Sequence, residues 1–337
     1  MSMSQQQSLT SHVVHFDLGA HVMSASFWGD DVVMALADGT YVLRHGDEMT
    51  RSKAHEEGCI LVAQADDQRL VSGGDDGRVV EMRRGQAPSV IADEKGKWID
   101  ALALRDDGAI AWSCGRNVRA RDAKGDVREM SAPSSVRGLA FMPKGYRIVM
   151  THYNGVSLWL PNIKGEPEAL VWRGSHLDVT VSPDGKFIIT AMQEHALHGW
   201  RVADKKDMRM TGYPSKTRSF SWSSDGKWLA TSGAEACIVW PFQTKDGPMG
   251  KGPRECGVRP AHVARVAFHP HAGIVALGYN DGWVMMCRLG DAAEILIHAP
   301  AIDDGAPITA LAWDEKGQKL IFADEAGRAG LLTLPHA

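Results

Sequence analysis

The chain lacks most of what a membrane, secreted or catalytic protein carries. Its 337 residues contain no run of about 18 apolar residues, which excludes a helical membrane span. Its opening, MSMSQQQSLTSH, has no basic stretch followed by an apolar one, so no secretory signal is expected and the expected location is cytoplasmic. Cysteine is sparse. Cys59, Cys114, Cys237, Cys256 and Cys287 are odd in number and never closely spaced, which argues against a disulfide framework and for a reducing compartment. Neither charge dominates: 37 Lys and Arg against 41 Asp and Glu leave a net −4, which disfavours nucleic acid and anionic membranes as partners. Cys-x-x-Cys, His-Glu-x-x-His and Gly-x-Ser-x-Gly are all missing, and with them the usual local signs of metal or acyl chemistry. Helical spacing is missing too, because no window keeps a 3.6-residue apolar period beyond one turn.

What the chain has is a recurring pattern. A short apolar strand is followed by an Asp- or Gly-rich turn, a second apolar strand, a second turn and a third strand that often carries Trp. The clearest copies span residues 136–160, 217–242 and 263–289. Aligned on the first strand, the copies start at Val22, Cys59, Ile99, Val136, Leu177, Arg218, Ala264 and Ile308, with steps of 37 to 46 residues. A period near 40 with variable turns marks four-stranded units that bury their faces on one another. Pro-Asp-Gly, Ser-Asp-Gly, Asn-Gly and Asp-Gly bound the strands, and these are hairpin signals because Gly takes positive φ without steric cost.

These copies resemble the WD40 family of β-propellers. Ala20-His21, Ala54-His55, Ser175-His176 and Ala261-His262 stand where that family has Gly-His. Residues 182–185 (Ser-Pro-Asp-Gly) and 223–226 (Ser-Ser-Asp-Gly) match its first turn, 70–77 and 229–233 match its second-strand region, and Trp159, Trp200 and Trp240 match its third-strand Trp. No Trp-Asp dipeptide ends a third strand here, and the 98–131 copy is weak. The resemblance implies an all-β, WD40-like β-propeller over residues 10–337 as a single domain, with residues 1–9 disordered. It also implies a hydrogen-bonded chain of His, strand Ser or Thr, turn Asp and strand Trp. His176 with Trp200 fits this, while His55 has Ser72 and Asp75 but no Trp. Eight triplets give eight blades. The alternative is seven, with 98–131 irregular. The last unit supplies only three strands, so the strand-like segment 12–16 is expected to become the outermost strand of the last blade and close the ring.

The resemblance places a binding surface on the face formed by the turns that enter the first strands and those that join second to third strands. It carries Trp98, Asp100, Arg137, His152, Tyr153, Asp178, Gln193, Arg218, Arg265, Tyr279 and Trp283. Arg with aromatics is the composition of protein-binding hot spots. The expected function is therefore a non-catalytic interaction scaffold or adaptor for a protein or peptide partner, with no cofactor. The alternative is an enzyme or metal-dependent binder at the channel mouth, for which Asp100 and Asp178 are the one candidate carboxylate pair.

Other chemistry is set aside on spacing. Residues three apart on a strand face opposite ways, so His12/His15 and His195/His198 do not chelate. His269-Pro270-His271 lies in a turn and offers two ligands, short of the three or four a metal site needs. The Gly-rich stretch 245–257 is the longest turn, but only two residues separate Gly247 from Gly250-Lys251, so it is no phosphate loop.

Overall fold

Turns close where the sequence places them. At Ser223–Gly226 the Gly226 amide donates to the Ser223 carbonyl at 2.8 Å, while Asp225 accepts from Ser223 Oγ at 2.7 Å and from the Lys227 amide at 3.1 Å. Gly226 has φ 66°, which an L side chain resists. The computed structural model describes residues 7–335. The described residues form the expected all-β propeller, in which nearly every antiparallel strand follows its chain neighbour.

The chain packs as two compact units, residues 33–217 and residues 1–32 with 218–337. In the first, Ile60–Ala65, Arg69–Gly74, Arg78–Arg83 and Ser89–Asp93 make one sheet, and Ala101–Leu104, Ile110–Cys114, Asn117–Arg121 and Val127–Ser131 make the next. A six-stranded sheet follows: Leu139–Phe141, Ile148–Trp159, Glu168–Val181, Phe187–Met192, Leu197–Arg201 and Asp207–Met210. In the second unit the sheets are Phe220–Trp222 to Arg254–Cys256, Val263–Phe268 to Ala293–His298, and Ile308–Trp313 to Arg328–Thr333. The strands Val22–Trp28, Asp31–Leu36, Thr40–His45 and Glu48–Lys53 complete the set of seven sheets.

Among the described residues the sheets number seven, the alternative expectation rather than the first one of eight, and the cause lies at residues 148–181. The 14-residue strand Glu168–Val181 pairs through residues 168–171 with Ile148–Trp159 and through 176–181 with Phe187–Met192. It is at once the outer strand of one repeat and the inner strand of the next, so the fourth and fifth repeats share a sheet. A Tyr153–Ser175 pairing carries the ladder across Gly174, whose φ of 134° is one that glycine adopts without a Cβ penalty. The 98–131 copy, expected to be the irregular one, is a regular four-stranded sheet. The long turn at 245–257 ends in a strand of its own, Arg254–Cys256, paired with Cys237–Pro241.

Second strands carry the core. Every residue of Arg69–Gly74, Ile110–Cys114 and Phe187–Met192 is buried, whereas outer strands such as Glu48–Lys53 are largely exposed. Neighbouring sheets therefore press face to face. In residues 33–217, Ala101, Ala103, Ala111 and Ala120 make room for Met150 and Trp159 of the following sheet. Two glycines set the closest approach. A Cβ on Gly73 would lie 2.3 Å from Ile99, and one on Gly278 would lie 2.5 Å from Ile308. In each case the glycine is the next-to-last residue of a second strand and the isoleucine enters the next repeat.

Arg69 is a polar tie between two of these sheets. Its guanidinium is buried, with Nε 2.7 Å from Asp66 Oδ2. Nη1 donates to the Gly108 carbonyl at 2.7 Å, and Nη2 donates to those of Arg105 and Ala109 at 2.8 and 3.1 Å. Removing it would take the guanidinium from the Gly108 carbonyl and from Asp66 Oδ2, while the Arg105 and Ala109 carbonyls keep the Gly108 and Arg105 amides. Arg69→Met is expected to lower unfolding free energy by about 3 kcal/mol in denaturant titrations; an unchanged midpoint would show that the tie carries no stability.

The N-terminal segment does what its pattern predicts and more. Val13–Asp17 runs antiparallel to Arg328–Thr333 and completes the last sheet as its fourth strand. Ahead of it, Gln7–Ser8 adds in parallel to Ala293–His298, and the Leu9 amide donates to the Leu296 carbonyl at 2.8 Å. Residues 7–9 of the segment expected to be disordered pair with this sheet, and residues 1–6 lie outside the described residues. One short segment covers the edges of two sheets. Deleting residues 1–18 is expected to lower the melting temperature and produce oligomers in light scattering; a monomer of unchanged stability would contradict this.

Candidate functional site

The expected polar network forms, with a change of acid. His55 Nε2 lies 2.7 Å from Ser72 Oγ, and Tyr41, rather than a Trp, joins Ser72 at 2.6 Å and donates to the Val80 carbonyl at 2.9 Å. Asp76, not Asp75, meets His55 Nδ1 at 3.0 Å. Asp75 instead accepts the Cys59 amide at 2.7 Å. His176 meets Thr190 Oγ1 at 2.8 Å and lies 5.6 Å from the Trp200 ring, as the resemblance implies. These histidines are buried and serve the fold. The His269-Pro270-His271 turn is equally committed. His269 Nδ1 accepts the His271 and Ala272 amides at 3.1 Å, its Nε2 donates to the Gly317 carbonyl at 2.9 Å, and His271 Nε2 donates to that of Glu315 at 2.7 Å.

His198 is a different case. Its ring is fully buried, stacked on Trp172 at 4.0 Å and edge-on to Trp200 at 4.7 Å. Neither nitrogen has a hydrogen-bond partner among the described residues, and the nearest carboxylate, Asp207, stands 3.7 Å away. Burial, helped by the neighbouring His176 and Arg209, pushes its pKa down to about 3. Burial and the nearby His15 push His298 down to about 4. Free histidine titrates near 6.5, so below that pH the unfolded chain takes up protons the fold refuses. Stability should be full above pH 6.5 and fall as pH drops, by about 2 kcal/mol at pH 5 from His198 alone. Melting temperatures across pH 5–8 test this, and His198→Phe should flatten the slope; parallel curves for the two proteins would refute the assignment.

The residues expected on the binding face divide between the two units. In residues 33–217, Trp98 is 61% exposed and Tyr153 55% exposed. Arg137 is also exposed, and its Nη1 donates to Asp100 Oδ1 at 2.8 Å. Asp100 Oδ2 accepts the Gly115 amide at 2.7 Å, while the Gly115 carbonyl accepts the Val136 amide at 2.8 Å. Ser134 Oγ accepts the Tyr153 amide at 2.8 Å. These bonds fix Asp100, Arg137 and Tyr153 in one neighbourhood. Asp178 joins it, because a Cβ on Gly138 would lie 2.7 Å from the Asp178 Cα. Gln193 is exposed in a turn, its amide donating to the Ser175 carbonyl at 2.9 Å. His152 is buried, held by Ser157 at 3.0 Å, and leaves the exposed set.

In the other unit, Arg218 is exposed. Arg265 is half-buried and turned inward, its Nε donating to the Thr309 carbonyl at 2.8 Å. Tyr279 is fully buried, so its place on the surface is corrected as well. Trp283 is half-buried beneath Arg259, whose guanidinium lies 3.7 Å from the ring centroid and 2.8 Å from Asp281. Arg259 has no local sequence signal, because its partners lie more than 20 residues away in the chain. Among the described residues no group of three His, Cys, Asp or Glu could hold a metal ion, and no helix is long and apolar enough to cross a membrane.

Antiparallel sheets stacked in chain order, with a terminal strand completing the last one, define a β-propeller. A search of solved structures agrees. The crystal structure of the computationally designed Ika8 protein matches 94% of this chain and 98% of its own, with a TM-score of 0.77 at 16% identity, which is a likeness of fold alone. Residues 206–240 match the family model "WD domain, G-beta repeat". That stretch runs from the outer strand Asp207–Met210 through Phe220–Trp222 and Trp228–Thr231 into Cys237–Pro241. The sheets make the chain a β-propeller, and one stretch of it matches the WD40 repeat.

Proposed function

We propose that the protein is a non-catalytic scaffold or adaptor that grips a protein or peptide partner through Trp98, Arg137 and Tyr153. One observation carries this reading. Two large aromatics and an arginine stand exposed, with backbone hydrogen bonds at Ile99, Asp100, Val136 and Tyr153 holding the chain at or beside them. Exposed aromatic and Arg anchors on a rigid support are what hot spots use, since little ordering entropy is lost on contact. Asp100 acts as the positioning residue for Arg137, and Asp178 supplies an acidic neighbour. In the other unit, Arg218 is the exposed counterpart. The net −4 charge favours a protein partner over nucleic acid. All five cysteines are free, which suits a reducing cytoplasm.

Affinity purification from source lysate tests the reading when wild type is compared with Trp98→Ala, Arg137→Glu and Tyr153→Ala at matched melting temperature. A specific co-eluting chain should fall about 10-fold or more with each variant, as hot-spot truncation does. Equal recovery from all four proteins would remove the surface from consideration.

A further inference from the structure

A cavity of about 370 Å³ opens within the unit that holds both chain ends, on ground the WD40 repeat does not account for. Its floor is apolar and buried: Ile308, Phe322 and Ala329. Its walls are aromatic. His298 stacks on Phe322 with centroids 5.2 Å apart, and His15 leans on His298 at 4.9 Å and meets the edge of Phe322 at 6.1 Å. Gly330 lets the Phe322 ring into this position, because a Cβ there would lie 2.2 Å from its tip. The volume falls in the range of small-molecule sites, and an apolar cleft with few polar groups is their usual lining.

Charge around the cavity selects the ligand. Asp17, Asp304 and Asp324 line it against a single cation, Arg328. That arginine is already engaged, with Nε donating to Asp324 Oδ2 at 2.8 Å and Nη1 paired with Asp304. Asp324 is buried and also accepts the Ala326 and Arg328 amides at 2.9 Å. An arginine bracketed by two carboxylates has little to offer an anion, whereas three carboxylates against one guanidinium leave an excess of negative charge. Flat aromatic walls further favour a ring that can stack and a cation that can sit over a π-face.

We infer that this cavity binds a small aromatic monocation, an arylalkylamine or an amidine, with the ring against Phe322 and His298 and the charge towards Asp304 and Asp17. His15, Phe16 and Asp17 belong to the terminal strand Val13–Asp17, while Pro300, Ala301 and Asp304 come from the loop facing it. A bound ligand therefore bridges that strand to the loop and stabilises the pairing of the N-terminal segment.

The test uses the full chain and three ring-matched probes: tryptamine (cation), 3-ethylindole (neutral) and indole-3-propionate (anion). Calorimetric titration should show one tryptamine site per chain, saturating by ~1 mM. The melting temperature should rise by roughly 3 °C at a 100-fold excess over Kd. Amide exchange of Val13–Asp17 should slow on binding. The neutral and anionic probes should bind at least about 10-fold more weakly. Asp304→Asn and His15→Ala alter exposed side chains, and each should weaken tryptamine about 5-fold while leaving the unliganded melting temperature in place. Failure of tryptamine to saturate, equal binding of the anion, or variants that bind as wild type would each overturn the assignment. None of these outcomes bears on the Trp98, Arg137 and Tyr153 surface.

Discussion

How near one sheet can come to the next decides most of what this chain does. Second strands such as Arg69–Gly74 and Phe187–Met192 are buried on both faces, so no sheet is stable as a free-standing object. Gly73 against Ile99 and Gly278 against Ile308 fix the spacing at equivalent points of two repeats, one in each unit. A side chain at either glycine would push the next repeat away and open a seam now filled by Val71, Ile99 and Trp112 in one case and by Met286, Ile308 and Phe322 in the other. Arg69 adds a polar version of the same contact, donating to three loop carbonyls of the following sheet. Contacts of this kind run between chain neighbours, and their stability accumulates repeat by repeat.

That rigidity is what makes the exposed residues useful. Arg137 is not a loose surface arginine, because Asp100 holds its guanidinium and is itself held by the Gly115 amide. Tyr153 projects from backbone fixed by Ser134. By contrast Arg265 spends its Nε on Thr309, and Tyr279 lies in the core, so neither is available to a partner. The same residue types at equivalent repeat positions thus divide into anchors and scaffolding according to what the neighbouring strand offers them.

Local chemistry was readable from the chain; register and long-range company were not. Turns such as Ser223–Gly226, the His55–Ser72 contact and the N-terminal strand all followed from short patterns, because Gly, Asp and alternating apolar residues act over a few positions. Asp75 and Asp76 show the limit: on a turn between strands a shift of one residue changes which carboxylate reaches the histidine. The fusion of two repeats through Glu168–Val181 depended on Gly174 taking a φ of 134° that keeps it within one strand, and a glycine permits this or a turn. Arg259 over Trp283, and the aromatic cavity built from His15, His298 and Phe322, join residues far apart in the chain, which no local pattern encodes.

The strap formed by residues 7–18 has a consequence for how the protein is made. Its docking sites, Ala293–His298 and Arg328–Thr333, are synthesised long after it. With elongation at about 5 to 20 residues per second, the emerging first strand waits on the order of 15 to 60 seconds for its partner. Through that interval it is an unpaired β-segment on the ribosome. Its polar and charged neighbours, Gln5 to Gln7 before it and Asp17 at its end, keep that waiting segment soluble and discourage it from pairing with the wrong chain.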